Sequence, residues 1–120
     1  MQFEFGGEFM PYKVAFASSD GKTVNENFGT PKRFLIFEIK ENIAEYLETR
    51  DSNLCFQQCA YNEKHMKKLV NLISDCKALF VTNIGYMALV LLKSNGIRAF
   101  ETTYHINDII KEILCSTFEI

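Results

Sequence analysis

The sequence predicts an α/β domain, a mixed five-stranded sheet with helices on both of its faces. Three observations lead there. An early pair of aromatic-rich strands is joined by a short polar connection. Apolar runs then alternate with segments of helical period. No linker, internal repeat or low-complexity stretch interrupts the 120 residues.

Lys13 to Ala17 is a short apolar run that ends in Ser18-Ser19-Asp20-Gly21, a cluster of turn formers, and reads as the first strand. Arg33 to Ile39, rich in Phe and Ile, and Ala44 to Thr49 flank Lys40-Glu41-Asn42 and predict an antiparallel hairpin. From Glu63 to Ser74 the period changes. Met66, Leu69, Val70 and Ile73 fall at i, i+3, i+4 and i+7, one face of an amphipathic helix. Ala78 to Val81 is uniformly apolar, as a strand covered on both faces should be. Ile84 to Lys93 predicts a second helix, closed by Asn95-Gly96, where glycine supplies a left-handed cap. Ile97 to Phe100 is a fifth strand. Ile106, Ile109, Ile110 and Ile113 predict a last helix capped near Asn107 or Asp108. The order is β-β-β-α-β-α-β-α.

Composition limits what such a chain can do. Its length suits one domain. A hydrophobic content of 48% and an aromatic content of 13% exclude a disordered chain. The net charge is -2 with scattered basic residues, which argues against nucleic acid as a partner. No apolar run approaches the roughly 18 residues that a membrane-spanning helix needs. Gly6-Gly7-Glu8-Phe9 followed by Met10 reads as an added leader, so residues 1–9 are expected to stand outside a single domain over 10–120. The start lacks the features of a signal peptide. A cytoplasmic protein with reduced cysteines is therefore expected.

Three segments have chemical potential. Asn27-Phe28-Gly29 closes the loop after the first strand, although a turn with a buried Phe would look the same. Cys55 and Cys59 lie in a polar loop after the third strand, and thiolates are natural soft ligands for iron–sulfur species. Taken alone, C-x3-C is a weak signal: position 62 is Asn rather than a third Cys, and no second pair completes a zinc site. Ile84-Gly85-Tyr86-Met87 joins a buried strand to a helix, where free backbone N–H groups and a partial positive charge favour anions. Gly85 permits close approach, and Lys22, Lys32 and Arg33 would add counter-charge. Cys76 and Cys115 read as packing residues, and His65 and His105 as surface histidines.

Val14 to Gly29, ending Val-Asn-Glu-Asn-Phe-Gly, and then Arg33-Phe34-Leu-Ile-Phe-Glu38 resemble the nitrogenase iron–molybdenum cofactor biosynthesis family, the NifX type and the C-terminal domain of NifB. The resemblance continues through Asp75-Cys76-Lys77-Ala78, Ile84-Gly85-Tyr86 and Gly96-Ile97, and covers roughly residues 13–114. It implies a ribonuclease-H-like three-layer α/β/α architecture. It also implies a nitrogen-fixation role: binding an iron–sulfur or iron–molybdenum cofactor precursor and passing it to nitrogenase cofactor assembly proteins. The implied binding residues are Ser19, Asn27, Phe28, Gly29, Arg33, Gly85 and Tyr86, with Cys55 and Cys59 as metal ligands. One position departs from the family, whose usual His before Phe-Gly is Asn27 here. A neutral amide coordinates iron or molybdenum poorly where imidazole does so well, which leaves Asn27 a hydrogen-bonding role.

Catalysis is not expected. Ribonuclease-H-like nucleases group carboxylates around divalent metal, beginning in the first strand, and Val14 to Ser18 contains none. No phosphate loop, nucleophile elbow or His-Glu-x-x-His pattern is present. The expected mechanism is carriage in a pocket formed by the Ser18–Gly29 loop, the Cys55–Cys59 loop and the Ile84–Met87 turn. The alternative is a module of the same fold that binds a protein or a small ligand without metal. An exposed edge strand in the hairpin would support a homodimer.

Overall fold

β1 (Tyr12–Ala17), β2 (Arg33–Lys40), β3 (Ile43–Asp51), β4 (Cys76–Val81) and β5 (Arg98–Glu101) form one sheet in the spatial order β3-β2-β1-β4-β5 in the computed structural model of the chain. The structure describes residues 11–29, 31–41, 43–52 and 63–115, without the side chains of 63–65. Cys55, Cys59 and the His65 side chain therefore lie outside the described residues, as does the predicted leader.

β1 is central because both of its faces are apolar: Val14, Ala15, Phe16 and Ala17 are all fully buried. It pairs antiparallel with β2, placing Ala17 opposite Phe34, and parallel with β4, placing Phe16 opposite Phe80. The predicted hairpin is present, with β2 and β3 antiparallel around Glu41, whose φ of 55° makes the tight reversal. A bulge between Ile36 and Phe37 shifts their register. β3 is the sheet edge and is mostly exposed.

The helices α1 (Glu63–Leu72), α2 (Tyr86–Ser94) and α3 (Ile106–Leu114) complete the expected element order. On one face of the sheet, Ala15, Ala17, Phe34, Ile36, Leu79 and Val81 share a core with Met66, Leu69, Val70, Ala88 and Leu92. On the other, Val14, Phe16, Leu35, Ala78 and Phe80 pack with Ile106, Ile109 and Ile113 of α3. The mixed sheet thus carries helices on both faces, as strand alternation dictates when both sets of side chains are apolar.

Local boundaries moved where sequence signals were weakest. β4 begins at Cys76, which pairs with Lys13, and exposed Lys77 is skipped where the register then shifts to Val14 opposite Ala78. α2 starts at Tyr86, after Gly85 in an extended conformation. α3 is capped by His105 rather than by Asn107 or Asp108, and His105 makes no side-chain capping bond. Gly96 has the predicted left-handed conformation, φ 79°. Among the described residues no helix is long and apolar enough to cross a membrane.

Candidate functional site

The carboxyl ends of β1, β4 and β5 lie on one edge of the sheet because these three strands run parallel. The loops that leave them meet there, and backbone hydrogen bonds fasten them together. The amide of Asn25 donates to Ala17 O (3.2 Å), that of Thr82 to Glu26 O (2.9 Å) and that of Phe28 to Asn83 O (3.1 Å). The loop after β5 joins through Val24 N to Tyr104 O (3.1 Å). Buried Ser52, just after β3, bonds Lys32 O through its amide and Pro31 O through its hydroxyl. Ser52, the last described residue before position 63, therefore lies at this same edge.

Within the first loop, Asp20 organises the turn. Its Oδ1 accepts from the amides of Lys22 (2.8 Å) and Thr23 (3.0 Å) and from the Ser18 hydroxyl (3.0 Å). The amide donors of Thr23 and Lys22 hold its carboxyl well below the usual carboxylate range. Ser19 and Asn25 bond reciprocally, Ser19 N to Asn25 Oδ1 (2.9 Å) and Asn25 Nδ2 to Ser19 Oγ (3.1 Å). Phe28 is fully buried, its ring 6.3 Å from that of Phe34, so it anchors the loop in the core. On either side of that anchor Asn27 and Gly29 stay at the surface, and Asn27 Oδ1 accepts from Gly29 N (2.8 Å). This is an Asx turn, a task that a short amide side chain performs well.

Asn27, Gly29, Asn83, Ile84 and Gly85 line an open cavity of about 240 Å³. The structure thus brings together three of the residues singled out from sequence. Tyr86 follows Gly85 as the exposed first residue of α2. Arg33 is exposed at the start of β2, with its carbonyl 3.4 Å from Ser18 N, and does not line the cavity. Ser19 does not line it either; its contacts shape the loop.

Gly85 caps α2 without a side-chain hydrogen bond, and the first turn of α2 contains no acidic residue. The first amides of a helix have no acceptor within it, and they carry the positive end of its dipole. Gly85 also lines the cavity, so the positive end of the α2 dipole lies beside it, as does the Glu101 carboxylate that accepts from Ile84 N.

Sequence reasoning missed Asn83 and Glu101. Asn83 receives the Phe28 amide, and Glu101 Oε2 accepts from Ile84 N (2.9 Å), which sets the backbone just before α2. Neither has a local signature, because both contacts join segments distant in sequence. Cys76 is buried as expected, and burial pushes its thiol up to about 12. Cys115, expected to pack, is exposed at the end of α3. No group of three or more His, Cys, Asp or Glu suited to a metal ion gathers among the described residues.

A family model described as dinitrogenase iron-molybdenum cofactor matches residues 10–115. Protein NifX of Klebsiella pneumoniae is 28% identical over 87 residues, 72% of this chain and 54% of that protein. The FeMo cofactor biosynthesis protein NifB of Frankia alni is 28% identical over 103 residues, 83% of this chain and 20% of that protein. The chain thus spans about half the length of the NifX relative, and a fifth of NifB. Among solved structures, the apo form of the orange protein from Desulfovibrio gigas superposes with a TM-score of 0.64. The match covers 95% of each chain at 14% identity, a likeness of fold.

Proposed function

Because the chain belongs to the dinitrogenase iron–molybdenum cofactor family, we propose that it serves iron–molybdenum cofactor assembly by binding and carrying an iron–sulfur or iron–molybdenum cofactor precursor, without catalysing a reaction. The observation that supports this most is the cavity in which Asn27, Gly29 and Gly85 meet at the start of α2. A cluster with net negative charge suits that place. The first-turn amides of α2 would donate to its sulfur or oxygen atoms, and Gly29 and Gly85 would let it approach the backbone. Tyr86 would form the rim, Ser19 and Phe28 would hold the loop in shape, and Arg33 with Lys32 would add counter-charge nearby.

Neutral Asn27 would give the cluster a hydrogen bond in place of a metal bond. Soft ligands would then come from Cys55 and Cys59, which follow Ser52 in the sequence. A carrier with so few strong ligands would bind with moderate affinity and release by ligand exchange to cofactor assembly proteins that hold better ones. This reading places the protein in the cytoplasm and assigns the sheet and its two helical layers to the ribonuclease-H-like class. It leaves the exposed edge of β3 for homodimer contacts.

Anaerobic titration of the full chain with ferrous iron and sulfide tests the proposal. Saturable, stoichiometric iron uptake with visible charge-transfer absorption is the expected result. A chain that takes up no iron yet binds assembly proteins would replace the carrier reading with a metal-free interaction module.

A further inference from the structure

α2 is apolar on both of its sides. Ala88 and Leu92 bury one side against the sheet. The opposite side presents Tyr86, Leu89, Val90 and Lys93 at i, i+3, i+4 and i+7, with Met87 beside them. Tyr86 is 76% exposed, Met87 67% and Val90 45%. A surface helix turns polar residues outward, whereas a helix that is apolar all round belongs in an interior. Tyr and Met are also enriched where proteins meet. The stripe has the spacing and composition of a seam against which another helix packs, and no described element covers it.

Charge narrows the partner. α1 touches α2 on the same face of the sheet. The two helices contain Lys64, Lys67, Lys68 and Lys93 against one carboxylate, Glu63, although the whole chain has a net charge of -2. Lys68 and Lys93 are exposed. A second copy of the chain, packed face to face through α2, would bring these like charges together. A protein with carboxylates beside an apolar stripe meets both demands. A lipid surface is the poorer match, because helices that lie in a membrane interface have a strongly charged side, and α2 has one charged residue. Position supplies a reason for the contact: Tyr86 directly follows Gly85, which lines the cavity at Asn27.

We propose that the outward face of α2 is the docking surface for the protein that receives the cargo, and that it takes an amphipathic helix whose apolar stripe is flanked by carboxylates. The partner's role as receiver rests on the carrier reading; the surface itself does not.

A synthetic helical peptide of roughly 18 residues, with a leucine stripe and glutamate flanks, titrated into the 15N-labelled full chain, tests the surface. Saturable amide shifts confined to residues 86–93 and the exposed side of α1 are expected. The same stripe with lysine flanks should bind about tenfold more weakly. Lys93→Glu should narrow that preference. Val90→Glu should abolish binding while leaving the melting temperature and the iron uptake of the isolated chain unchanged. Equal binding of the two peptides, binding that survives Val90→Glu, or no binding would overturn the proposal. So would tighter binding to anionic phospholipid vesicles, or dimers in sedimentation that Val90→Glu dissolves, since each gives the face another occupant. A wild-type chain that binds the peptide but takes up no iron would sink the carrier reading and leave the surface standing.

Discussion

Arg50 of β3 grips Asp75, which precedes β4, in a two-point ion pair: Nη1 donates to Oδ1 at 2.7 Å and Nη2 to Oδ2 at 2.9 Å. The same guanidinium donates to Leu72 O (2.9 Å) at the end of α1 and to Glu48 Oε2, and Lys13 Nζ reaches Asp75 Oδ2 at 3.0 Å. The edge strand, α1 and the start of β4 are thereby tied through one side chain. Arg50, and then Lys13, hold the Asp75 carboxyl well below the usual carboxylate range. A carboxyl that titrates lower in the folded chain than in the unfolded one stabilises the fold above about pH 4, the unfolded value. That stabilisation fades as the pH falls toward the folded value. Arg50→Met should therefore cost about 1 kcal/mol at neutral pH, a modest figure because Asp75 is well exposed to screening solvent. Urea unfolding of both proteins at neutral pH and at about pH 2.5 checks this, and the gap should narrow in acid. An equal gap at both pH values would remove the ion pair as its cause.

Five aromatic rings cross the whole sheet on the α3 side, one from each strand. Phe100, Phe80, Phe16, Phe37 and Tyr46 follow one another with centroid separations of 5.1, 5.0, 5.5 and 5.7 Å. Phe16 sits in the middle, fully buried, stacked on Phe80 and edge-on to Phe37. Phe16→Leu keeps an apolar side chain but removes two ring contacts, each contributing about 0.5–1.5 kcal/mol beyond area burial. A loss of roughly 2 kcal/mol in denaturant unfolding is expected, with an unchanged m value. Tyr46→Leu, on the half-exposed last ring, should cost well under half as much.

Much of this architecture is legible in the sequence, and the reason is periodicity. The stripe Met66, Leu69, Val70, Ile73 and the run Ala78 to Val81 each report burial through short-range spacing, and every such residue is buried. Asn27, Gly29 and Gly85 were singled out through the family resemblance, and the fold brings them to one cavity wall. What joins them was not legible. Asn83 and Glu101 act through hydrogen bonds to segments that the topology brings near, and nothing next to either residue announces its partner. Phe28 shows the opposite limit. The family motif implied a cofactor contact for it, a turn with a buried Phe was the other reading, and the residue is fully buried.

Asn27 stands at the cavity wall where an imidazole would serve as a metal ligand. Asn27→His should tighten iron retention in the anaerobic titration and shift the visible spectrum, because a nitrogen ligand joins the cluster. The exchange removes the Asx bond to Gly29 N, so a stability loss of about 0.5–1 kcal/mol is expected beside the gain in affinity. An unchanged spectrum and affinity would place the cluster away from this wall.

Cys55→Ser with Cys59→Ser should lower iron uptake severalfold or abolish it, since a serine hydroxyl is a hard and poor substitute for thiolate. Cys115→Ser is the control. That thiol is exposed at the end of α3, and the same titration should not register its loss. Uptake that survives the double change would leave backbone and amide donors as the whole site, and the cluster would then bind as an anion alone.

Gly85→Asp separates anion binding from stability, because the two should move in opposite directions. Gly85 is the cap of α2, with φ -77° and ψ 163°, an extended conformation open to any residue, and it offers no side chain to the first-turn amides. Aspartate there would accept from those amides and oppose the helix dipole, stabilising the fold by about 0.5–1 kcal/mol. The same carboxylate would occupy the donors that an anionic cluster needs and would repel its charge. Thermal melts should therefore show a rise of a few degrees while cluster uptake falls. Gly85→Asn, a cap without the charge, should stabilise less, by roughly 0.3 kcal/mol, and impair uptake less. Equal uptake by all three proteins would show that the amides of α2 take no part in holding the cluster.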